Sequence, residues 1–271
     1  MSDLLIFAPI LGVIAGVLSG LLGIGGGVII VPALIYLLPI LPQVTASNVA
    51  IVAIATSLST IIVTTFSSAR SHYKRGNVDI SFTRPIALAV AITAFVAPYF
   101  ATWLGGGALK MIFAILLMLV ALQMIFSGAK DYIEEHIPTT NTLFLGGALT
   151  GFIAGIAGLG GGAILVPYLT YLKVNIRKAI GAAAASGMIV AIFGSIGYMI
   201  NGWHFTDDIQ FLGYVHWPTA LTIMIFSFVS APLGVKLSHK LNQKQLKRIF
   251  AVFMILISIK LLFEQLSTAS L

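Results

Sequence analysis

Cysteine is absent from the 271 residues, which excludes disulfides, thiolate nucleophiles and cysteine metal sites. Charged residues are also scarce, at 8% of the chain against roughly 25% in ordinary globular domains. Hydrophobic residues account for 59%, more than a soluble chain of this length can bury. Uncharged runs such as 46–69 and 179–200 are long enough to span a hydrocarbon core, so the composition predicts an integral membrane protein.

Other missing features narrow the function. No aspartate or glutamate lies in the middle of a predicted span, so a carboxylate relay for protons or sodium is not supported. The five histidines lie in loops or at helix ends without metal-ligand spacing, which predicts solvated or interfacial roles and no metal site. The net charge of +7 comes from short loops between apolar runs, which argues against nucleic-acid binding. The opening residues lack a basic segment, so the first apolar run is expected to belong to the mature protein.

A duplication organises the chain. The segment 23–32 (GIGGGVIIVP) recurs as 158–167 (GLGGGAILVP) at an offset of 135 residues. Each copy follows a row of glycines spaced four apart, which lets helix backbones approach closely in lipid. The rows are Gly12, Gly16 and Gly20, and Gly147, Gly151 and Gly155. We predict two membrane repeats, residues 1–127 and 142–271, joined by a cytoplasmic linker over residues 128–141.

Each repeat is predicted to contain a glycine-interrupted apolar pair followed by three longer helices. The last member of the second pair, 163–172, covers only about 15 Å, half of a hydrocarbon core of about 30 Å. The pair is therefore either one broken spanning helix or a hairpin that turns back inside the membrane. The predicted fold class is an all-α integral membrane protein with two inverted repeats, each a glycine-broken helical hairpin or broken helix plus three transmembrane helices.

The placement of lysine and arginine favours the hairpin. If each pair re-enters, thirteen of the fifteen basic residues lie on one side, and Lys110 and Lys260 lie on or towards the other. The positive-inside rule makes the basic side cytoplasmic and puts both termini outside. If both members of each pair crossed the membrane as short helices, the basic residues would lie on the same sides, so that alternative stays open. Lys260 is expected near a helix end with its amine at the interface, or else as a buried cation facing the pathway.

The consecutive glycines mark helix breaks at membrane depth. Broken backbone survives in a membrane where it lines a cavity or meets a partner, and three glycines in a row strongly disfavour helix. A new helix after each break would present free N–H groups and a positive dipole end to an anion; the alternative is a packing kink. On the functional interpretation, the candidate substrate-binding residues of the two breaks are Gly25, Gly26, Gly27, Val28, Gly160, Gly161, Gly162 and Ala163.

Four polar side chains within or beside the spans are further candidates. Thr56 and Ser57 sit in the helix after the first pair, and Ser186 occupies the corresponding place after the second. Asn48 precedes the helix that carries Thr56, and an amide is costly to bury without a partner. Serine and threonine in membrane helices also bond their own backbone, which is the alternative role of the three hydroxyl groups.

Several of these motifs resemble the TauE/SafE sulfite exporter family over nearly the whole chain. They are the glycine clusters ending in Val-Pro, the run 55–57 (ATS) and the loop 72–79 (HYKRGNVD). The resemblance implies a secondary transporter of the bacterial or archaeal cytoplasmic membrane, in a family with members associated with export of sulfite or organosulfonates. The second half has Ala185 and Ser186 where the first has Thr56 and Ser57, so equal contributions of the two halves are not implied.

The expected function is secondary transport that exports a small sulfur-containing anion, sulfite or an organosulfonate, by alternating access. A passive anion channel is the alternative, which saturable flux with counterflow would exclude. A membrane enzyme or scaffold is disfavoured because no acid–base pair or nucleophile is embedded in the spans. The expected partners are a small anionic solute and the lipid bilayer of the inner (cytoplasmic) membrane, with no cofactor, metal or catalytic residue.

Overall fold

The computed structural model describes residues 2–22, 26–126, 138–238 and 243–269, and these ranges are almost entirely helical. The helices are α1 (Ser2–Leu22), α2 (Gly27–Leu37), α3 (Val49–Lys74), α4 (Ile80–Phe126), α5 (Thr140–Ala157), α6 (Gly162–Tyr171), α7 (Ile176–Asn201), α8 (Trp217–Ser238) and α9 (Gln243–Ala269). Six of them, α3, α4, α5, α7, α8 and α9, contain apolar stretches long enough to cross a membrane. The predicted all-α membrane fold is confirmed.

The structure contains a small antiparallel hairpin that the sequence did not predict. Strands β1 (Phe211–Leu212) and β2 (Val215–His216) pair just before α8. Gly213, in the turn between them, has a φ of 59°, a left-handed conformation that favours glycine. Much of the predicted linker 128–141 lies outside the described residues, and α5 begins at Thr140, inside the predicted linker.

Helix α4 consists of two arms, 80–104 and 106–126. Its 47 residues would extend about 70 Å as a straight helix, more than twice a hydrocarbon core of about 30 Å. Gly105 breaks the helix with φ 80° and ψ 161°, a conformation that other residues rarely adopt. Counted by arms, each half contains a pair of helices followed by three more, in the order that the sequence predicted.

Contacts between loops define two ends of the bundle. At the first, which we call the basic end, the Asn77 carbonyl oxygen lies against the Cα of Gly181, and the Tyr168 hydroxyl donates to the Thr142 carbonyl at 2.9 Å. The basic residues at this end include Arg70, Lys74, Arg75, Arg84, Lys173, Arg177 and Lys178. At the opposite end, which we call the far end, the Gly106 N–H donates to the Ser47 carbonyl at 3.1 Å.

The glycine rows pack helices of one half against helices of the other. A Cβ on Gly12 of α1 would lie 2.8 Å from the Phe226 Cβ and 2.9 Å from the Ile223 carbonyl oxygen, both in α8. A Cβ on Gly147 of α5 would lie 2.6 Å from the Ile86 carbonyl oxygen in the first arm of α4. These approaches are closer than a side chain allows, so the rows have the packing role that their spacing predicts.

Helices α3 and α7 are equivalent in the duplication and pack together at the centre. The hydroxyl of Ser59 lies 3.2 Å from that of Ser195, whereas Thr65, further along α3, contacts Gly187, earlier in α7. The two helices therefore run in opposite directions. This is the direction that an inverted repeat requires for this pair; the inversion of the complete halves stays a prediction.

The loop 72–79 has a structural role at the basic end. Gly76 has a φ of 70°, which lets the chain leave α3, and the Asn77 N–H donates to the His72 carbonyl at 3.0 Å. The Asp79 carboxylate then begins α4, accepting hydrogen bonds from the Ser81 N–H at 3.0 Å and hydroxyl at 2.6 Å. These bonds to the charged form lower the pKa of Asp79. The motif thus fixes the turn between α3 and α4.

Candidate functional site

Both glycine-broken pairs form hairpins whose tips meet inside the bundle. α6 starts at the α5 tip and returns to the end where α5 began, as the bond from Tyr168 to Thr142 shows. α5 ends at Gly158 in the left-handed conformation, with φ 69°. The Gly158 carbonyl oxygen lies against the Cα of Gly27, the first residue of α2, and no side chain would fit between them. Glycine is therefore needed on both tips, for the turn and for the close approach.

A short helix begins at each tip. The Gly26 carbonyl accepts from the N–H groups of residues 29 and 30, and the Gly161 carbonyl accepts from those of residues 164 and 165. Among the described residues, the N–H groups of Gly162 and Ala163 donate no hydrogen bond. The residues just before Gly26, which could accept from Gly27 and Val28, lie outside the described ranges. No side chain caps either helix. The amides of Gly162 and Ala163 are therefore available to a ligand.

The two tips differ in their surroundings. Gly26, Gly27 and Val28 are buried, as are Gly160 and Gly161, whereas Gly162 and Ala163 are half-buried. A Cβ added to Gly162 would meet nothing within 4 Å, so space remains beside the start of α6. Gly25 lies outside the described residues.

Ser57 of α3 contacts the second tip, and Thr56 of α3 contacts the hairpin of β1 and β2. The Ser57 hydroxyl donates to the Gly158 carbonyl at 3.3 Å, which links the first half to the second tip. The Thr56 hydroxyl oxygen accepts from the backbone N–H of His216 at 3.1 Å. Both residues are fully buried, and of the two it is Ser57 that the structure brings beside the second tip.

Ser186 and Asn48 occupy different positions. The backbone of Ser186 lies close to Gly161, but its hydroxyl donates to the Ala182 carbonyl of its own helix at 2.8 Å. Asn48 lies at the far end, about 12 Å along α3 from Thr56. Its amide accepts from the Thr45 N–H at 2.8 Å and donates to the Gln43 carbonyl at 3.1 Å, so it closes the loop before α3.

Thr150 was missed by the sequence analysis. Its methyl carbon would lie 3.0 Å from a Cβ on Gly161, and the residue is fully buried in α5. The offset of 135 residues makes Ala15 its equivalent in α1, and Ala15 contacts the equivalent glycine, Gly26, in the same way. The signal in the sequence was therefore a threonine where the other repeat has alanine, about two turns before the glycine cluster.

His216 differs from the expectation that the histidines are solvated or interfacial, because it is 2% exposed. Its Nδ1 lies 2.7 Å from the Thr219 hydroxyl and its Nε2 lies 3.3 Å from the Gln210 amide oxygen. Since that oxygen can only accept, the proton of the neutral ring lies on Nε2. The ring borders a far-end cavity of about 60 Å³. Its burial follows from the hairpin of β1 and β2, which the sequence did not indicate.

Burial should make folding stability depend on pH through His216. Desolvation lowers the pKa of His216 from 6.5 to about 4, against the opposing effect of Asp208. Between these values the unfolded chain binds a proton that the folded protein does not, so stability is lost as the pH falls through this window. We expect the melting temperature of the parental protein to fall more steeply from pH 6.5 to 4 than that of His216→Gln. Equal slopes would contradict the assignment.

A charged cluster joins three elements at the far end. The Glu264 carboxylate of α9 accepts from Lys110 Nζ at 2.8 Å and from the Tyr36 hydroxyl at 3.1 Å. Lys260 Nζ lies 3.9 Å from the same carboxylate and 4.2 Å from the centre of the Tyr36 ring. The Lys260 side chain is 62% exposed, which agrees with the position near a helix end rather than with a buried cation. The cluster ties the end of α2 to the second arm of α4 and to α9.

A metal site would need several histidine or acidic side chains close together in the described ranges. Within them, no group of three or more histidine or acidic side chains is placed to hold a metal ion. The side chains nearest to the second tip include those of Val31, Ile54, Ser57 and Thr150, which are uncharged. What the tips offer chemically is therefore backbone N–H groups, hydroxyls and the positive ends of two helices.

Comparison with known proteins gives the family. The sulfite exporter TauE/SafE profile matches residues 8–261. A probable membrane transporter protein of Haemophilus influenzae is 36% identical over 97% of this chain and 100% of its own length. Probable membrane transporter proteins of Methanocaldococcus jannaschii and Bacillus subtilis (YunE) are 28% and 27% identical, over 90% and 94% of this chain and 91% and 96% of their own lengths. No solved structure matches. The chain therefore belongs to the sulfite exporter TauE/SafE family of membrane transporters.

Proposed function

We propose that this protein is a secondary transporter of the inner (cytoplasmic) membrane that exports a small sulfur-containing anion, sulfite or an organosulfonate, by alternating access. The basic end faces the cytoplasm in this proposal, because lysine and arginine are retained on that side of bacterial membranes. The family name supports a sulfur oxyanion as the substrate class.

The observation that carries the proposal is the meeting of two uncapped helix starts inside the bundle. At the second of these starts, the N–H groups of Gly162 and Ala163 donate no hydrogen bond among the described residues. Each helix start carries the equivalent of about half a positive charge. An anion would complete the hydrogen bonding of these groups, which lipid cannot do.

The way in which the two hairpins are held supports alternating access. α1 packs on α8 and α5 packs on the first arm of α4, so each hairpin is attached to the opposite half. The tips meet through Gly27 and Gly158 without an intervening side chain. In this proposal, rocking of one half against the other opens the space beside the tips to one end of the bundle at a time.

A thermal-shift screen of the purified protein tests the proposal. We expect sulfite or an organosulfonate such as taurine or sulfoacetate to raise the melting temperature in a saturable way, because a ligand that binds only the folded state stabilises it. Chloride, nitrate and acetate at equal ionic strength are the controls. Equal shifts with all anions, or none with any sulfur anion, would contradict the substrate class.

A further inference from the structure

Thr150 carries a buried hydroxyl group without a partner. The residue is fully buried, and its Oγ1 has no hydrogen-bond acceptor or donor within reach among the described residues. Helical threonines elsewhere bond a carbonyl of the preceding turn: Thr93 donates to Ala89 at 2.9 Å and Thr170 to Val166 at 2.9 Å. Thr150 departs from this pattern, although a buried hydroxyl without a partner is unfavourable.

The Thr150 side chain faces the start of α6. Its methyl carbon is 3.0 Å from the position of a Cβ on Gly161, the residue that precedes α6, and the hydroxyl is attached to the same carbon as that methyl. The unpaired N–H groups of Gly162 and Ala163 follow directly, and the space beside Gly162 is open. The hydroxyl donor and the two amide donors therefore belong to the same tip, and a rotation about χ1 would exchange the positions of the methyl and the hydroxyl group.

The first hairpin lacks this donor. Ala15 stands at the position equivalent to Thr150, with its Cβ 3.6 Å from a Cβ on Gly26. The start of α2 is also buried, whereas the start of α6 is half-buried. The duplication therefore presents two similar tips, of which the second has the additional hydroxyl and the space.

We propose that the Thr150 hydroxyl and the first amides of α6 form a one-sided binding site for a singly charged sulfonate or oxyanion. This inference rests on the proposed function and assigns its substrate site to the second hairpin. The Thr150 hydroxyl donates to one oxygen of the anion, and the N–H groups of Gly162 and Ala163 donate to the others. The first tip, through Gly27, supports the second without binding the anion itself.

The charge of the ligand follows from the donors. The side chains nearest to the second tip, among them Val31, Ile54, Ser57 and Thr150, are neutral. The cost of taking an ion out of water grows with the square of its charge, and neutral donors compensate a single charge far better than a double one. The site therefore selects a monoanion such as methanesulfonate over a dianion such as sulfate.

Three variants test the site by equilibrium binding of methanesulfonate to the purified full chain. Thr150→Val keeps the shape of the side chain and removes the hydroxyl, and it should weaken binding about 10- to 100-fold, the effect of one lost hydrogen bond to a charged group. Thr150→Ser should stay within about threefold of the parental protein. Thr83→Val is the matched control, because Thr83 has the other buried hydroxyl without a partner among the described residues and lies near the basic end of α4. Its binding should equal that of the parental protein.

The stability of Thr150→Val in the absence of anion distinguishes a binding role of the hydroxyl from a structural role. Because Thr150→Val removes an unsatisfied buried hydroxyl, its melting temperature without anion should equal or exceed the parental value. A hydroxyl that stabilises the fold would give a lower melting temperature. That result would overturn the assignment.

Further outcomes distinguish failure of the threonine site from failure of the proposed function. Parental affinity in Thr150→Val, together with lost binding in Gly161→Val, would overturn the threonine site and leave the proposed function standing. Sulfate binding as tightly as methanesulfonate to the parental protein would overturn the charge selection, whatever the variants do. If the folded parental protein binds none of the sulfur anions, the proposed function itself fails. Tighter methanesulfonate binding by at least tenfold over sulfate supports the site.

Discussion

Replacing Gly161 by valine is expected to abolish anion flux in proteoliposomes while the protein still folds. The φ of Gly161 is −57°, which valine adopts readily. Its Cβ would, however, lie 3.0 Å from the Thr150 methyl carbon, and its branches would occupy the approach to the amides of Gly162 and Ala163. Loss of two hydrogen bonds to a charged ligand weakens binding roughly 100-fold or more. Initial flux at several substrate concentrations measures the effect.

Gly12→Val is the comparison for this variant. Its Cβ would meet the Phe226 Cβ at 2.8 Å and the Ile223 carbonyl oxygen at 2.9 Å, so it should separate α1 from α8. We expect it to lower the melting temperature and the monodisperse fraction more than Gly161→Val does. Gly161→Val protein that is folded and still carries substrate at the parental rate would remove the second tip from the binding site.

Replacing Gly27 by alanine should destabilise the protein strongly, although it adds a single methyl group. The new Cβ would overlap the Gly158 carbonyl oxygen and lie 3.3 Å from the Leu159 Cα. Both are backbone atoms of the other hairpin, which cannot rotate away as a side chain could. Overpacking of this kind costs about 3 kcal/mol or more when backbone must move. Thermal unfolding in detergent, followed by circular dichroism, measures the loss.

Gly26→Ala is the matched control on the same tip. Its Cβ would meet the end of the Ile30 side chain at 3.1 Å and the Ala15 Cβ at 3.6 Å, contacts that a flexible side chain can relieve. Its melting temperature should fall much less than that of Gly27→Ala. If the two variants melt together, the tips do not touch through Gly27 and Gly158.

The sequence predicted those features that depend on spacing along the chain. The glycine rows indicated that α1 and α5 each pack closely against a neighbouring helix, because residues four apart lie on one helix face. The offset of 135 residues located both helix breaks, and the breaks became the two hairpin tips. The sequence did not indicate which helices the rows would contact, since α1 packs on α8 of the other half and spacing contains no information about partners.

Features that depend on tertiary position were missed. His216 was expected to be solvated because it lies beside a helix end, yet the hairpin of β1 and β2 buries it. Thr150 resembled an ordinary threonine of a membrane helix, and only the three-dimensional contacts show that its hydroxyl has no partner and that its side chain faces Gly161. Ser186 shows the reverse case, because its hydroxyl bonds its own helix. Its role in binding, like that of Asn48, stays a prediction.

Counterflow in proteoliposomes is the most direct test of transport by alternating access. Vesicles that contain the purified protein would be loaded with a high concentration of unlabelled sulfite and diluted into a trace of labelled sulfite, with taurine and methanesulfonate tested in the same way. We predict transient accumulation of label above its external concentration, saturation with external substrate, and loss of both in Gly161→Val. Label that only equilibrates, at a rate linear in concentration, would show a passive channel and contradict the transporter mechanism.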